Sequence, residues 1–323
     1  METTNEIVRG LCADSDYLRT QAEAALKQRG STVQAQILQQ AGHTASAQDN
    51  PVLCRVYLDR ALILWRQEDD VDALAETLGQ VWEVALSQGD YAATRAYLEE
   101  GLELVPRSTR LDATSFPAGA HFWLGSIAQE EGDYNRAREH YALSLHLMEQ
   151  LGPGERLDGS QIVVGLQGSL AYEQGDYAAA RLLLERSLAL ARQEGTPHKI
   201  IAVLGDLCLV ASRENTFPAA EAFLAKAVAL IREHAFWYLL PLLLLARTRL
   251  AVEQADWEMA ARALGAEDKF RRLEGEERVL HWKSEISVCL QATRSALSES
   301  AFEANWQEGS SLTLEQACRI AES

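Results

Sequence analysis

Histidine, cysteine and paired carboxylates are the side chains from which catalytic and metal centres are built, and their spacing in this chain makes neither. The seven histidines, His43, His121, His140, His146, His198, His234 and His281, are dispersed along the sequence. His140 and His146 stand six residues apart, which on a helix puts them on different faces and argues against a shared metal ion. Five cysteines, Cys12, Cys54, Cys208, Cys289 and Cys318, lie at wide, unequal intervals with no CxxC pair. An odd, scattered set reads as reduced thiols packed as small apolar side chains in a cytosol. Acidic residues cluster at Glu68-Asp69-Asp70 and at Glu274-Gly275-Glu276-Glu277, both turn positions where solvated charge is the ordinary filler. No GxSxG elbow, HExxH pair, calcium-binding acidic loop or GxxxxGK[ST] phosphate loop occurs, and there is no Gly-Lys pair. A nucleophile with its base, two carboxylates in a cleft or a metal cluster would leave such a local trace. The expectation is therefore a chain that binds without catalysing, and needs no cofactor and no metal.

Bulk properties narrow the partners. The formal net charge of -17 repels a phosphate backbone, so direct nucleic-acid binding is not expected. The longest apolar run, Ala235 to Ala246, is interrupted by Pro241 and followed by Arg247, and is shorter than the roughly 20 residues a membrane helix needs. Met1 to Asn5 shows no charged region followed by an apolar stretch, so no secretory leader is read. These features predict a soluble, cytoplasmic protein with no membrane contact. At 323 residues the chain is longer than one core usually organises, which leaves two or three domains or a repeat array. Abundant Ala, Leu, Glu, Gln and Arg, only 7 prolines and no alternating β-branched runs favour an all-α array.

The elements that would position any binding residue are set by an internal repeat. Gly89-Asp90-Tyr91, Gly132-Asp133-Tyr134 and Gly175-Asp176-Tyr177 are followed by weaker copies at Asn215-Thr216-Phe217 and Ala255-Asp256-Trp257, a period of about 40 to 43 residues. Three residues after each aromatic stands a small residue: Thr94, Ala137, Ala180, Ala220 and Ala260. Seven after it come Leu98, Tyr141, Leu184, Leu224 and Leu264, and thirteen after it Leu104, Leu147, Leu190, Leu230 and Phe270. These offsets predict that each aromatic opens an amphipathic second helix. The small residue lets that helix approach its neighbour, the glycine closes the helix before it in a left-handed conformation, and the aspartate caps the next one. So short a turn makes an antiparallel helical hairpin.

One period earlier, Asp49-Asn50-Pro51 is a turn before a helical stretch from Val52 to Gln67; one period later, Leu297 to Ser300 lies between stretches near Glu277–Ala296 and Ala301–Gln307. The result is an α-α superhelix of about seven hairpins. Residues 1–50 are read as N-terminal capping helices, 51–273 as the array, and 274–323 as a C-terminal hairpin and capping helix. Longer connections are expected at Val105–Pro117 and Gly152–Ser160, and Thr313 with Gln316 fits a capping box. Trp82, Trp257, Trp282 and Trp306 are placed in hairpin cores, and Phe236-Trp237-Tyr238 reads as an aromatic knot closing a helix start rather than a binding lip.

The stretch from Phe122 to Ala137, with Leu124-Gly125 ahead of Gly132-Asp133-Tyr134, resembles the tetratricopeptide consensus at a longer period. Asp256 to Ala266, Ala296 to Gly309 and Leu312 to Ala317 resemble the C-terminal end of the helical sensor regions of bacterial STAND-class regulators, among them LuxR-type, MalT-like and OmpR-type proteins. That resemblance implies signal sensing linked to transcription, with NTPase and DNA-binding modules in the full-length regulators; this chain is then an excised sensor domain, the favoured reading, or a free-standing relative. The tetratricopeptide resemblance implies that the first helix of each hairpin lines a concave wall. Counting back from the turns, the wall comprises Glu83 and Ser87, then Phe122, Ser126, Gln129 and Glu130, then Ser169, Tyr172 and Glu173, then Ser212 and Arg213, then Arg249 and Glu253. The expected occupant is a peptide, a protein segment or a small effector. Joint replacement of Tyr172, Arg213 and Arg249 by Ala is expected to abolish its effect without unfolding the chain. The alternative is an oligomerisation or autoinhibitory arm that self-associates through end hairpins such as the one around Trp306.

Overall fold

The computed structural model describes residues 4–11, 20, 23, 24, 26, 27, 29–151, 160–274 and 283–322. Cys12, His281, Trp282, residues 275–277 of the second acidic cluster and most of the 152–160 connection therefore lie outside the described residues. The described residues form α-helices and one 3-10 turn, with no strand among them. Two compact units result: residues 1–128 with 146–152, and residues 129–145 with 153–323.

The first unit contains α1 (Thr4–Leu11), α2 (Ser31–Ala47), α3 (Pro51–Glu68), α4 (Val71–Ser87), α5 (Tyr91–Leu104) and all but the end of α6 (Ser115–Glu130). Its core gathers Leu11, Ile37, Leu38, Tyr57, Leu58, Leu62, Trp65 and Leu78, and the Tyr57 hydroxyl donates to the Leu11 carbonyl. A second cluster joins Leu98, Ala120 and Leu124, flanked by the Trp82 and Trp123 rings at 5.8 Å. The expected loop to Pro117 stops at Thr114, because Pro117 occupies the first turn of α6, where its missing N–H has no helical partner to lose.

The second unit contains most of α7 (Tyr134–Gln150), then α8 (Ser160–Glu173), α9 (Tyr177–Glu194), α10 (Pro197–Arg213), α11 (Phe217–His234), α12 (Leu240–Glu253), α13 (Trp257–Glu274), α14 (Lys283–Ala296), α15 (Glu299–Ser311) and α16 (Leu314–Glu322). Its core runs through Leu184, Leu204, Leu207, Cys208, Leu224, Ile231, Leu243, Leu244 and Leu250. Helices pair as α8 with α9, α10 with α11 and α12 with α13. Gly168 lets the first pair close, since a methyl group there would meet Leu184 Cγ at 2.8 Å.

Each repeat aromatic is the first residue of its helix, at Tyr91, Tyr134, Tyr177, Phe217 and Trp257. The aspartates cap as their position predicts: the carboxylates of Asp90, Asp133, Asp176 and Asp256 accept from the amides of Ala93, Arg136, Ala179 and Met259 at 3.0–3.1 Å. Gly89, Gly132 and Gly175 hold φ of 71, 78 and 78°, and the same left-handed turn recurs at Asn215 and Ala255 with φ of 58 and 57°. Asn tolerates that region; Ala carries its steric cost.

The buried face differs from its sequence reading at one offset. The residues three and seven after each aromatic are fully buried, but Leu147, Leu190, Leu230 and Phe270, thirteen after, sit half-buried on the flank. At 100° per residue, thirteen steps turn well away from the face, whereas ten and fourteen remain on it. Offset ten is accordingly buried, by Gly101, Ser144, Ser187, Ala227 and Glu267, and offset fourteen by Met148, Ala191 and Ile231.

The last hairpin also departs from the pattern. Leu297 and Ser298 do form the turn, and the Ser298 hydroxyl caps α15, but α15 packs on α13 instead of folding back along α14. The backbones of α13 and α15 touch at Gly265 and Gly309, where side chains on both would hold an ordinary pair apart. This leaves α14 packed mainly on α12 and α13, joined to α15 through Arg294, which meets Glu299 at 2.8 Å and Glu303 at 3.2 Å. The expected capping box is present: the Thr313 amide donates to Gln316 Oε1 at 2.8 Å and the Gln316 amide to Thr313 Oγ1 at 3.3 Å. α16 is tied to α11 by Arg232, which reaches Glu322 at 2.8 Å and Glu315 at 3.1 Å. Cys54, Cys208, Cys289 and Cys318 are buried free thiols, and Phe236 packs against His198, His234 and Tyr238 at the start of α12.

Candidate functional site

The first helices α8, α10 and α14 of the second unit line one cleft of about 320 Å³, at the lower end of ligand-pocket sizes. Ser169, Tyr172 and Glu173 come from the end of α8, Tyr134 and Tyr177 from the starts of α7 and α9, Arg213 from the end of α10, and Ser284, Glu285 and Val288 from α14. These positions converge because the helices end at the same edge of successive hairpins, one turn before each Gly-Asp or its equivalent.

An alternating chain of charges crosses the wall behind the cleft. Arg213 Nη1 meets Glu253 Oε1 at 3.1 Å, Arg249 Nη1 meets the same oxygen at 3.1 Å, and Arg249 Nε donates to Glu285 Oε1. Arg249 is 2% exposed. Burial alone would depress its guanidinium, but the Glu285 hydrogen bond and nearby charge outweigh that and hold its pKa above the usual arginine value. Arg213 also lies over the Tyr177 ring, 5.6 Å from its centre, and the Tyr172 and Tyr177 rings are 5.5 Å apart.

Three buried donors here make no hydrogen bond of normal length: Tyr172 Oη, Arg213 Nε and Arg249 Nη2. Burial, then the Glu285 charge, push the Tyr172 hydroxyl far above its ordinary range. Glu173 is held by neutral donors. Its Oε1 accepts from Gln129 Nε2 at 3.1 Å, whose own Oε1 accepts from the Tyr141 hydroxyl at 2.9 Å. Burial raises the Glu173 carboxyl, the Gln129 and Tyr134 hydrogen bonds lower it, and the charges of Glu130 and Glu285 raise it further.

The structure thus brings together Ser169, Tyr172, Glu173, Arg213, Arg249 and Glu253, with Gln129 and Glu130 beside Glu173. The remaining sequence-derived positions lie elsewhere. Glu83 and Ser87 line a separate shallow cleft of about 220 Å³ in the first unit, with Asp49, Asn50 and Cys54. Phe122 packs edge-on against Trp123 at 4.8 Å, and the Ser126 hydroxyl donates to the Phe122 carbonyl. Ser212 is fully buried and its hydroxyl donates to the Cys208 carbonyl at 2.7 Å, so it serves α10 itself. Burial also corrects the expectation that Tyr172, Arg213 and Arg249 can be removed together without unfolding: losing Arg249 strands Glu285, which is 6% exposed. Half-exposed Arg213 is the position that can be tested alone.

Sequence reasoning missed Glu285, Ser284 and Val288, because α14 falls in the C-terminal hairpin, outside the array whose first helices define the wall. The available signal was Glu285 four residues before Cys289 and eight before Thr293, which places a carboxylate on a buried face. Tyr134 and Tyr177 were read only as helix openers, yet both also line the cleft.

No protein-family model and no curated protein matches the sequence. Among solved structures, aspartyl phosphate phosphatase F from Bacillus subtilis is similar over 93% of this chain and 80% of its own, at 13% identity and a TM-score of 0.57. A Signal Transduction ATPase with Numerous Domains (STAND) protein with a tetratricopeptide repeat sensor, from Pyrococcus horikoshii, is similar over 96% of this chain at 13% identity and a TM-score of 0.50. This chain spans 50% of that protein's length. The fold is a tetratricopeptide-like all-α solenoid. At such identities the likeness is one of fold, which fixes how the hairpins stack and leaves the chemistry of the wall to this sequence. No helix among the described residues is long and apolar enough to cross a membrane.

Proposed function

We propose that this tetratricopeptide-like chain is a non-catalytic sensor module that holds a peptide, a protein segment or a small effector in the cleft of its second unit. The observation that carries this reading is the convergence of Tyr172, Glu173, Arg213 and Glu285 on one cleft of about 320 Å³.

The finer reading is that the chain is the sensor arm of a STAND-type regulator, with an NTPase module and a LuxR-type DNA-binding domain in the full-length bacterial protein. The sequence resemblance in the last third and the fold shared with a STAND repeat sensor support it. A thermal-shift screen of short peptides and small metabolites tests the site: compounds that stabilise the wild-type chain should lose their effect with Tyr177→Leu. Stabilisation that persists in Arg213→Ala and in Tyr177→Leu, or its absence for every compound, rejects the cleft as the sensor site.

A further inference from the structure

We propose that the cleft takes a compact cation, an ammonium or guanidinium group, seated on Glu173 among the phenol rings of Tyr134, Tyr172 and Tyr177. The proposal rests on the cleft being the ligand site and adds the chemical class of the ligand. Its basis is an imbalance of charge. Two arginines, Arg213 and Arg249, face three glutamates, Glu173, Glu253 and Glu285. Both arginines are already engaged, Arg249 by Glu285 and Glu253, and Arg213 by Glu253. Glu173 is the carboxylate left over, with a glutamine amide and a tyrosine hydroxyl as its hydrogen-bond partners and two further carboxylates near it.

Burying an ionised carboxylate without a counter-charge is unfavourable, and the raised pKa of Glu173 reports that cost. A cation on Glu173 removes it. An anion would add a fourth negative charge to the same walls, and the net charge of -17 would oppose its approach. The aromatic lining fits the same ligand. Tyr177 already receives a guanidinium on its face, that of Arg213 at 5.6 Å, so the ring is oriented for a cation. Tyr172 is 8% exposed and its ring lies 5.5 Å from that of Tyr177, so both phenol rings wall the cleft beside Glu173.

An ammonium or guanidinium group can come from a free polyamine or amino acid, or from a Lys or Arg side chain of a peptide. Calorimetric titration of the whole chain separates these, with putrescine and L-arginine as free cations and acetyl-Gly-Lys-Gly-amide as the peptide source. Glutarate and acetyl-Gly-Glu-Gly-amide are the anionic controls. At least one cationic probe should bind saturably, one per chain, more tightly than either anion, and its affinity should fall tenfold or more in Glu173→Gln. Tyr177→Leu, at a half-buried position, provides a second variant and should also weaken binding. No saturable binding by any cationic probe, or unchanged affinity in both variants, overturns the proposal. Glutarate binding that is lost in Arg213→Ala overturns the ligand class while leaving the cleft as the site; binding indifferent to Glu173, Tyr177 and Arg213 removes the cleft as well.

Discussion

Removing the Arg249 guanidinium should cost the second unit about 3–5 kcal/mol, whereas removing the whole ion pair should cost far less. Arg249 is 2% exposed and Glu285 6% exposed, so neither charge can turn to water when the other is lost. Two unit charges about 4 Å apart interact by about 4 kcal/mol at an effective dielectric constant of about 20, in line with that range. Arg249→Met keeps most of the aliphatic stem and isolates the charge. Glu253 retains Arg213 at 3.1 Å, so the loss falls mainly on Glu285. Arg249→Met combined with Glu285→Met leaves no stranded charge and should recover to within about 1 kcal/mol of wild type. Urea unfolding followed by far-ultraviolet circular dichroism measures the cycle, with the slope unchanged if only stability moves. A single-variant cost below about 1 kcal/mol at pH 7, or a double variant worse than the single, would refute the view that Arg249 is there to compensate a buried carboxylate.

Gly309→Ala should destabilise by about 3 kcal/mol or more, because the new methyl would stand 2.9 Å from the Arg262 carbonyl carbon and 3.0 Å from the Ala266 amide nitrogen, backbone atoms that cannot turn aside. Gly79→Ala in α4 meets nothing within 4 Å and should stabilise by about 0.5–1 kcal/mol; equal effects in the same denaturation assay would contradict the packing of α15 on α13. Ala255→Gly should raise stability by about 0.5–1 kcal/mol, relieving a left-handed alanine with φ of 57°; a drop in the thermal midpoint would show the turn unstrained. Burial pushes the Glu267 carboxyl up to about 7 against the pull of Arg271, from an ordinary 4.5. The folded chain therefore holds a proton that the unfolded chain has lost, and stability should decline as pH rises from about 4.5 to about 7, then level off. Glu267→Gln should flatten that decline and gain about 2–3 kcal/mol at pH 8, measured by unfolding across pH; an unchanged slope would place the titration elsewhere.

How much of the site was legible follows from which residues obey local rules. Tyr172, Arg213, Arg249 and Glu253 could be named as wall candidates from the sequence because each stands two to six residues before a recognisable turn, and a helix converts such a count into a direction. Ser212 satisfied the same count and failed, because a serine within reach of a carbonyl one turn back bonds there. Glu285 escaped because its importance depends on α12, a helix 36 positions away in sequence.

The sequence by itself determined the helical hairpin, its turn chemistry, its caps and the small residue at the close approach, since all of these act within a few residues of chain. It also carried the absence of catalytic and metal motifs and the strong negative charge. Only the tertiary structure decided that α15 would abandon α14 for α13, that α14 would bring Glu285 to Arg249, and that the wall of the second unit would narrow to a small cleft with one carboxylate in excess. Those outcomes depend on contacts between residues far apart in the chain, where Gly265 meets Gly309's helix and the first helices α8, α10 and α14 line one cleft. Periodicity specifies a face, but which faces meet is settled by the packing of all of them at once.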